Sequence, residues 1–249
     1  MVDVFEEVEG QIRSDRYRAL ALKALPVFIG LVVLLLAGVG GWQGYKAWTQ
    51  SQSNKASEIY AKGLEALEAG RPADAKASWE TVSKSASPAY KSLALQHLGA
   101  LRLGERDVNG AVALFDQAAK AAPDPLIGDA ARLKAVYALL DTTPRAQIDA
   151  RLEPLLKAGR PFRMQAREAA AFSKLLAGDT AGARSDFVVV SLAPDVAEGA
   201  RSRATAAIAL IDSGSAKATA DLVKAAAALP PPRPLPPGVP GLPMQAPAQ

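Results

Sequence analysis

Catalysis needs nucleophiles, bases or metal ligands brought together, and these 249 residues hold one histidine, His97, and no cysteine. One imidazole cannot make an HExxH pair or a two-histidine metal site, and a serine triad would depend on that ring alone. Without cysteine there is no disulfide framework, thiol redox chemistry, cysteine zinc site or amino-terminal lipoprotein anchor. The glycine-rich run GVGGWQG has neither a preceding strand nor a lysine at phosphate-loop spacing. Paired charges such as Glu65 with Glu68, or Arg163 with Arg167, fit solvated helix faces. For His97, beside Leu98 on a helical stretch, a packed or solvent-edge ring is the plainer reading, and a hydrolytic or transfer site around it is the alternative. The expectation is therefore no catalytic residue, no metal and no cofactor. The net charge of +4 comes from mixed signs, unlike the basic stripe with interleaved aromatics that nucleic acid requires. Binding of other proteins is the chemistry that remains.

Helices must position whatever binds. Alanine dominates after Ser51, β-branched runs are scarce, and 49% of the chain is apolar, so an all-α core is expected. A 36-residue period runs through it. Leu67, Leu103, Leu139, Leu175 and Ile211 form a bulky aliphatic series, and Gly63, Gly99, Ala135, Ala171 and Ala207 a small one. Leu64, Ala100, Val136, Phe172 and Ile208 are apolar throughout. In the second half of the units Ala75, Ala111 and Ala183 recur, each followed four residues later by Trp79, Phe115 or Phe187. Such rings pack on a neighbour only where the preceding turn presents no bulk. Turns are expected at Gly70-Arg71-Pro72, Gly104 to Asp107, Thr142-Thr143-Pro144, Gly178-Asp179 and Gly214-Ser215. Prolines 88, 123, 125, 161, 194 and 230 are expected to close the units.

Ahead of the repeats, Ala24 to Trp42, ALPVFIGLVVLLLAGVGGW, runs nineteen residues without a charge. Roughly 20 apolar residues, rising about 1.5 Å each, cross the ~30 Å hydrocarbon layer. Pro26 is expected in the first turn of such a helix, and Trp42, Tyr45 and Trp48 at its interface. A cleaved signal peptide has a shorter core and an A-x-A site, and a buried soluble helix seldom stays uncharged this long. Length and flanks favour an uncleaved anchor over both. Gly40 and Gly44 stand in GxxxG spacing, which either seats a second helix or is simply tolerated in lipid. Arg13, Arg16, Arg18 and Lys23 precede the run, while Lys46 and Lys55 follow it, so the amino terminus is expected in the cytoplasm and the repeats across the bilayer. In a bacterium that is the periplasm. Val4, Phe5, Val8 and Ile12 share one helical face behind an Asp3 and Glu6 capping arrangement. That amphipathic segment lies on the inner leaflet, docks on a cytoplasmic partner, or is merely solvated.

Small residue, twelve positions, alanine, four positions, aromatic, three positions, small, then proline, as in Gly99, Ala111, Phe115, Ala118 and Pro123, resembles the tetratricopeptide repeat, which normally runs 34 residues. Units one, two and four follow it. Unit three has Gln147, Arg151 and Pro154 at those positions, while Ile148 and Leu152 point to a one-residue slip; unit five, with Thr219 and Val223, reads as a degenerate cap. The resemblance implies an α-solenoid of about five helix hairpins whose concave face is lined by the first helix of each unit. On that geometry the protein-binding residues are Tyr60, Leu64, Leu93, Gln96, Arg132, Val136, Glu168 and Phe172, with Leu67 and Leu103 beside them. Tyr60, Gln96, Arg132 and Glu168 share one offset and differ in kind, which predicts exposure, whereas the Leu67, Leu103, Leu139 and Leu175 series also fits interhelical core.

From VFEEVEGQIRSDR through the apolar run, the aromatic exit GWQGYKAWTQ and the repeats, residues 3–229 resemble the YfgM-like family of ancillary SecYEG translocon subunits. That resemblance implies a bacterial inner-membrane protein whose periplasmic repeat domain works beside the Sec translocon with a membrane-anchored chaperone or isomerase, holding unfolded secretory chains. The alternative is an envelope scaffold coupling cell-wall or division complexes. The expected organisation is a cytoplasmic amphipathic segment at 1–23, a single transmembrane helix at 24–45, a periplasmic solenoid at 46–229 and a proline-rich tail at 230–249. The tail has nine prolines in twenty residues and should be extended, mostly polyproline II, either dispensable or a ligand for a proline-reading partner.

Overall fold

Strong helix formers fill the chain between its glycine and proline breaks, and every regular element among the described residues is helical. The computed structural model describes the backbone of residues 4–218 and the side chains of residues 25, 28, 30, 31 and 34–216. Nine α-helices occur there: α1 Val4–Glu68, α2 Pro72–Val82, α3 Pro88–Gly104, α4 Val108–Ala121, α5 Pro125–Leu139, α6 Arg145–Leu156, α7 Arg163–Leu176, α8 Thr180–Leu192 and α9 Glu198–Asp212, followed by a 3-10 turn at Ser215–Ala218. The all-α expectation holds, and helix pairs of repeat length succeed one another.

The 36-residue period is written into the backbone. Gly70, Arg106 and Gly178 each take positive φ (70°, 63° and 83°) at a helix carboxyl end. In each case that residue's N–H bonds three residues back and the next N–H bonds five back, as in Arg71 to Ala66 (2.8 Å) and Asp179 to Lys174 (2.9 Å). This closure satisfies the last carbonyls and favours glycine, which has no Cβ to clash. Two of the second helices, α4 and α8, then begin on side-chain caps, where Asp107 accepts from the Gly110 N–H at 2.8 Å and Asp179 from the Gly182 N–H at 2.9 Å, while α2 opens on Pro72 without one. Pro88 and Pro125, expected to close units, are instead the first residues of α3 and α5, and Pro72, expected in a turn, is the first residue of α2, positions where a missing N–H costs nothing.

Two compact units share the chain, one of residues 1–98 and 121–123, the other of 99–120 and 124–249. In the first, α2 packs on α1 and buries Trp79 completely. A Cβ on Gly63 would lie 2.8 Å from Trp79 Cδ1, so the small residue is what admits the ring. The second unit repeats the device. A Cβ on Gly99 would meet Phe115 Cε1 at 2.5 Å, and Phe187 is buried with Ala171 and Ala183. The space therefore comes from the residue sixteen positions earlier as well as from the alanine four before. Each such ring is worth about 3–5 kcal/mol on truncation to alanine.

Unit three slips as expected. Ile148, Leu152 and Leu155 are fully buried with Leu133 and Val136, while Gln147 is exposed and Arg151 turns out to Asp116. Within the aliphatic series Leu175 is buried, Leu103 and Leu139 are half-buried, and Leu67 is 40% exposed on the last turn of α1.

At the amino-terminal end only the place of Pro26 departs from the expectation. One helix, α1, runs from Val4 to Glu68, so residues 1–23, 24–45 and 46–68 are not set off from one another, and Pro26 lies in its interior, not its first turn. No residue between Lys23 and Glu68 other than Pro26 breaks a helix outright. Among the described residues no helix is long and apolar enough to cross a membrane. The side chains of Val4, Phe5, Val8, Ile12, Arg13, Arg16, Arg18 and Lys23 lie outside the described residues. So do Asp3, Thr219, Val223 and the tail at 230–249.

Candidate functional site

In the second unit the first helices of successive repeats touch directly, α5 on α7 and α7 on α9, while α6 and α8 each pack on the helix before and after. One face is thus built only of first helices. On it lies a cavity of about 480 Å³ lined by Leu140 and Asp141 beyond α5, Phe172, Leu175 and Leu176 of α7, and Arg203, Ala206, Ala207 and Leu210 of α9. Two features of the repeat open it. Ala206 and Ala207 leave α9 without bulk opposite α7, and Phe172 is held upright by an edge contact to buried Phe187, with ring centroids 4.9 Å apart at 75°.

Its polar wall is a bidentate pair joining α7 to α9. Arg203 Nε donates to Glu168 Oε1 at 2.8 Å and Nη2 to Oε2 at 3.0 Å. Glu168 is 2% exposed, and its hydrogen bonds raise the Arg203 guanidinium further above its ordinary value. Tyr137 stands near this pair. Burial, then the Glu168 carboxylate, push its phenol up to about 12 against the opposing pull of Arg203. Asp141 has no ion-pair partner among the described residues.

The eight residues expected to bind are placed unevenly. Glu168 and Phe172 come together at the groove, Phe172 as lining and Glu168 as the buried anchor behind it. Val136 is fully buried in the core with Ile148 and Leu152. Arg132 is half-buried and bonds Asp129 at 2.9 Å. In the first unit Tyr60, Leu64 and Leu93 are half-buried, and Gln96 is 3% exposed. The series Tyr60, Gln96, Arg132, Glu168 was expected to be exposed because its members differ in kind, and that inference fails for Gln96 and Glu168. The offset faces the neighbouring first helix, where a polar side chain finds a partner and not water.

His97 is packed. Its ring stacks on Trp79 at 4.3 Å and 18°, and Nε2 shares a 2.7 Å hydrogen bond with the Tyr60 hydroxyl. Tyr60 also contacts Tyr90, and burial followed by Tyr90 raises its phenol. Sequence reasoning missed the ion pairs that join units: Glu168 with Arg203 and Asp116 with Arg151, both 35 residues apart, and buried Asp129 with Arg160. Opposite charges recurring near the repeat length are the signal that marks them. Among the described residues no group of three or more histidine, aspartate or glutamate side chains is gathered as a metal site.

Comparison with known proteins adds one finding. The family profile described as tetratricopeptide repeat-like domain matches residues 26–189. No curated protein and no solved structure matches the chain.

Proposed function

The chain belongs to the tetratricopeptide repeat-like domain family, and from that membership we propose that it is a membrane-tethered protein-binding module acting beside the Sec translocon. Repeat domains of this kind are typically non-catalytic and bind protein partners. The observation that carries the binding reading is the groove on the first-helix face. Leu140, Phe172, Leu176 and Leu210 offer apolar surface beside Asp141 and Arg203, a mixture that suits an extended or partly unfolded polypeptide. Outgoing secretory chains are such polypeptides, and a membrane-anchored periplasmic chaperone or isomerase is the partner that the YfgM-like resemblance supplies. In this unit Arg132 stays in the proposal as a half-buried contributor, with Val136 and Glu168 as buried support; Tyr60, Leu64, Leu93 and Gln96 remain candidates on the first unit, considered by itself.

What supports the tether is the uncharged run itself and the character of α1 around it. Leu25, Phe28, Leu31, Leu34, Leu35, Leu36, Val39 and Trp42 are all at least half exposed. At helical spacing they cover more than half of the helix circumference, and an apolar surface that wide needs an apolar environment. At the far end Lys46 Nζ sits 5.9 Å from the Trp42 ring centroid, and Tyr45 lies against Trp48, the side-chain set of a bilayer interface. The proposed arrangement is an inner-membrane protein with a cytoplasmic amino terminus and periplasmic repeats.

Site-specific photocrosslinking from Phe172, with Tyr60 and Arg132 in parallel, tests the binding reading in living bacterial membranes. Capture of translocon subunits and of several unrelated secretory chains is expected. Capture of one folded envelope protein alone would move the reading to the scaffold. A periplasm-active reporter fused after Leu229 tests topology, and an intact but silent fusion overturns it.

A further inference from the structure

Only two of the nine residues lining the groove are charged, Asp141 and Arg203. Arg203 is held by Glu168 at 2.8 Å, whereas Asp141 is exposed and has no ion-pair partner among the described residues. A well-matched occupant is therefore apolar along its length and carries one cation at the Asp141 end. The chain contains such a segment. Helix α9, which forms one wall of the groove, leads through Ser215–Ala218 into residues 219–249. Within them PPPRPLPPGVPGLPMQAPAQ bears a single charged side chain, Arg233, among Leu235, Val239, Leu242, Met244 and the prolines.

We infer that this tail, centred on Arg233 and Leu235, occupies the groove in cis, with Arg233 against Asp141 and Leu235 beside Phe172, so that a partner must displace it. Reach is ample. Even at the helical rise of about 1.5 Å each, the fifteen residues from Ala218 to Arg233 reach ~22 Å, which matches the length of α9, the helix that carries Leu210 of the groove. Proline-rich segments also dock on apolar, aromatic-bearing grooves at low cost because little conformational freedom is left to lose. The inference rests on the groove being the binding surface of the proposed function, and it adds a built-in competitor for that surface.

The absence of cysteine makes the contact directly measurable in the full chain in detergent micelles. Thr142→Cys with Pro232→Cys places thiols beside the two charges while keeping both. Under mild oxidation this pair should form an intrachain disulfide at least tenfold faster than Glu153→Cys with Pro232→Cys, since Glu153 is exposed on α6 away from the groove. Adding Asp141→Lys should return the rate to the control, and adding Arg233→Asp as well should restore it. Equal rates for the two pairs, or a rate indifferent to the charges, overturn the inference.

The second arm uses a fluorescein-labelled synthetic peptide of residues 230–249 as probe. A tail tethered at an effective concentration of ~1 mM, with an affinity of ~0.1 mM, weakens probe binding about tenfold. Full-length Arg233→Asp should therefore bind the wild-type probe about tenfold more tightly than the unaltered chain, and Asp141→Lys should bind it at least tenfold less. No gain with Arg233→Asp sinks the tail's role even if crosslinking from Phe172 still captures secretory chains. Probe binding that behaves as expected while Phe172 captures no protein partner sinks the proposed function and leaves the tail contact standing.

Discussion

Arg203→Met and Glu168→Met remove the same ion pair, yet the structure gives them unequal costs. The Arg203 side chain is 58% exposed and that of Glu168 3%. Replacing Arg203 strands a carboxylate in a nearly dry site between α7 and α9, and an uncompensated buried charge of that kind costs about 3 kcal/mol. Replacing Glu168 leaves a guanidinium that water already reaches, so the loss should be about 1 kcal/mol or less. The double variant, with apolar side chains of similar length on both helices, should recover to within about 1 kcal/mol of the original. Urea denaturation of the full chain in micelles, followed by helical circular dichroism, measures all three. Equal costs for the two single variants, or a larger cost for Glu168→Met, would falsify the placement of Glu168 as the buried partner and remove the anchor behind the groove.

Gly99→Ala should destabilise the chain by about 1–2 kcal/mol: overlap with Phe115 outweighs the ~1 kcal/mol that alanine ordinarily gains over glycine in a helix. Gly104→Ala, whose Cβ meets nothing within 4 Å, should show no loss in the same urea melts. Ile148→Ala should cost about 2–4 kcal/mol and Gln147→Ala under about 0.5, as the buried and exposed members of the slipped unit; the reverse order would put the unit back in register. At high pH, Tyr137 keeps its proton in the folded chain where the unfolded chain loses it, because its phenol is raised from 10.0 to about 12. That stabilisation is complete below pH 10 and disappears as pH rises to about 12. It amounts to about 1 kcal/mol once its 44% exposure is discounted, and Tyr137→Phe should flatten that limb of the stability curve.

What could be read from the residues was what the chain states locally. The period and the alanine four residues earlier marked Trp79 and Phe115 as packed rings, though not Gly63 and Gly99 as the residues that admit them, and Gly70 and Gly178 announce helix ends because only a residue without Cβ sits there freely. Arg106 occupies the same position with φ of 63° and was hidden inside the expected turn from Gly104 to Asp107. The groove's polar wall was not legible in the same way. A glutamate at an offset shared with tyrosine, glutamine and arginine looks like variable surface, and only its partner 35 residues on, Arg203, turns it into interior. The proposed membrane attachment rests on composition alone, and the continuity of the uncharged run with the first repeat in one helix has no local signal that marks it.

That continuity constrains how the protein works. From Trp42 at the end of the uncharged run to Glu68 before the first turn, α1 continues for 26 residues, about 39 Å at helical rise. A glycine-rich linker of that length would let a binding domain sample a wide volume. A continuous helix instead carries the first hairpin at a set distance from the point where the apolar run ends. If the apolar run is the tether proposed above, the first hairpin stands at a set height above the bilayer. A tail that competes in cis for the groove would set a threshold of its own, which only a sufficiently apolar and cationic segment overcomes.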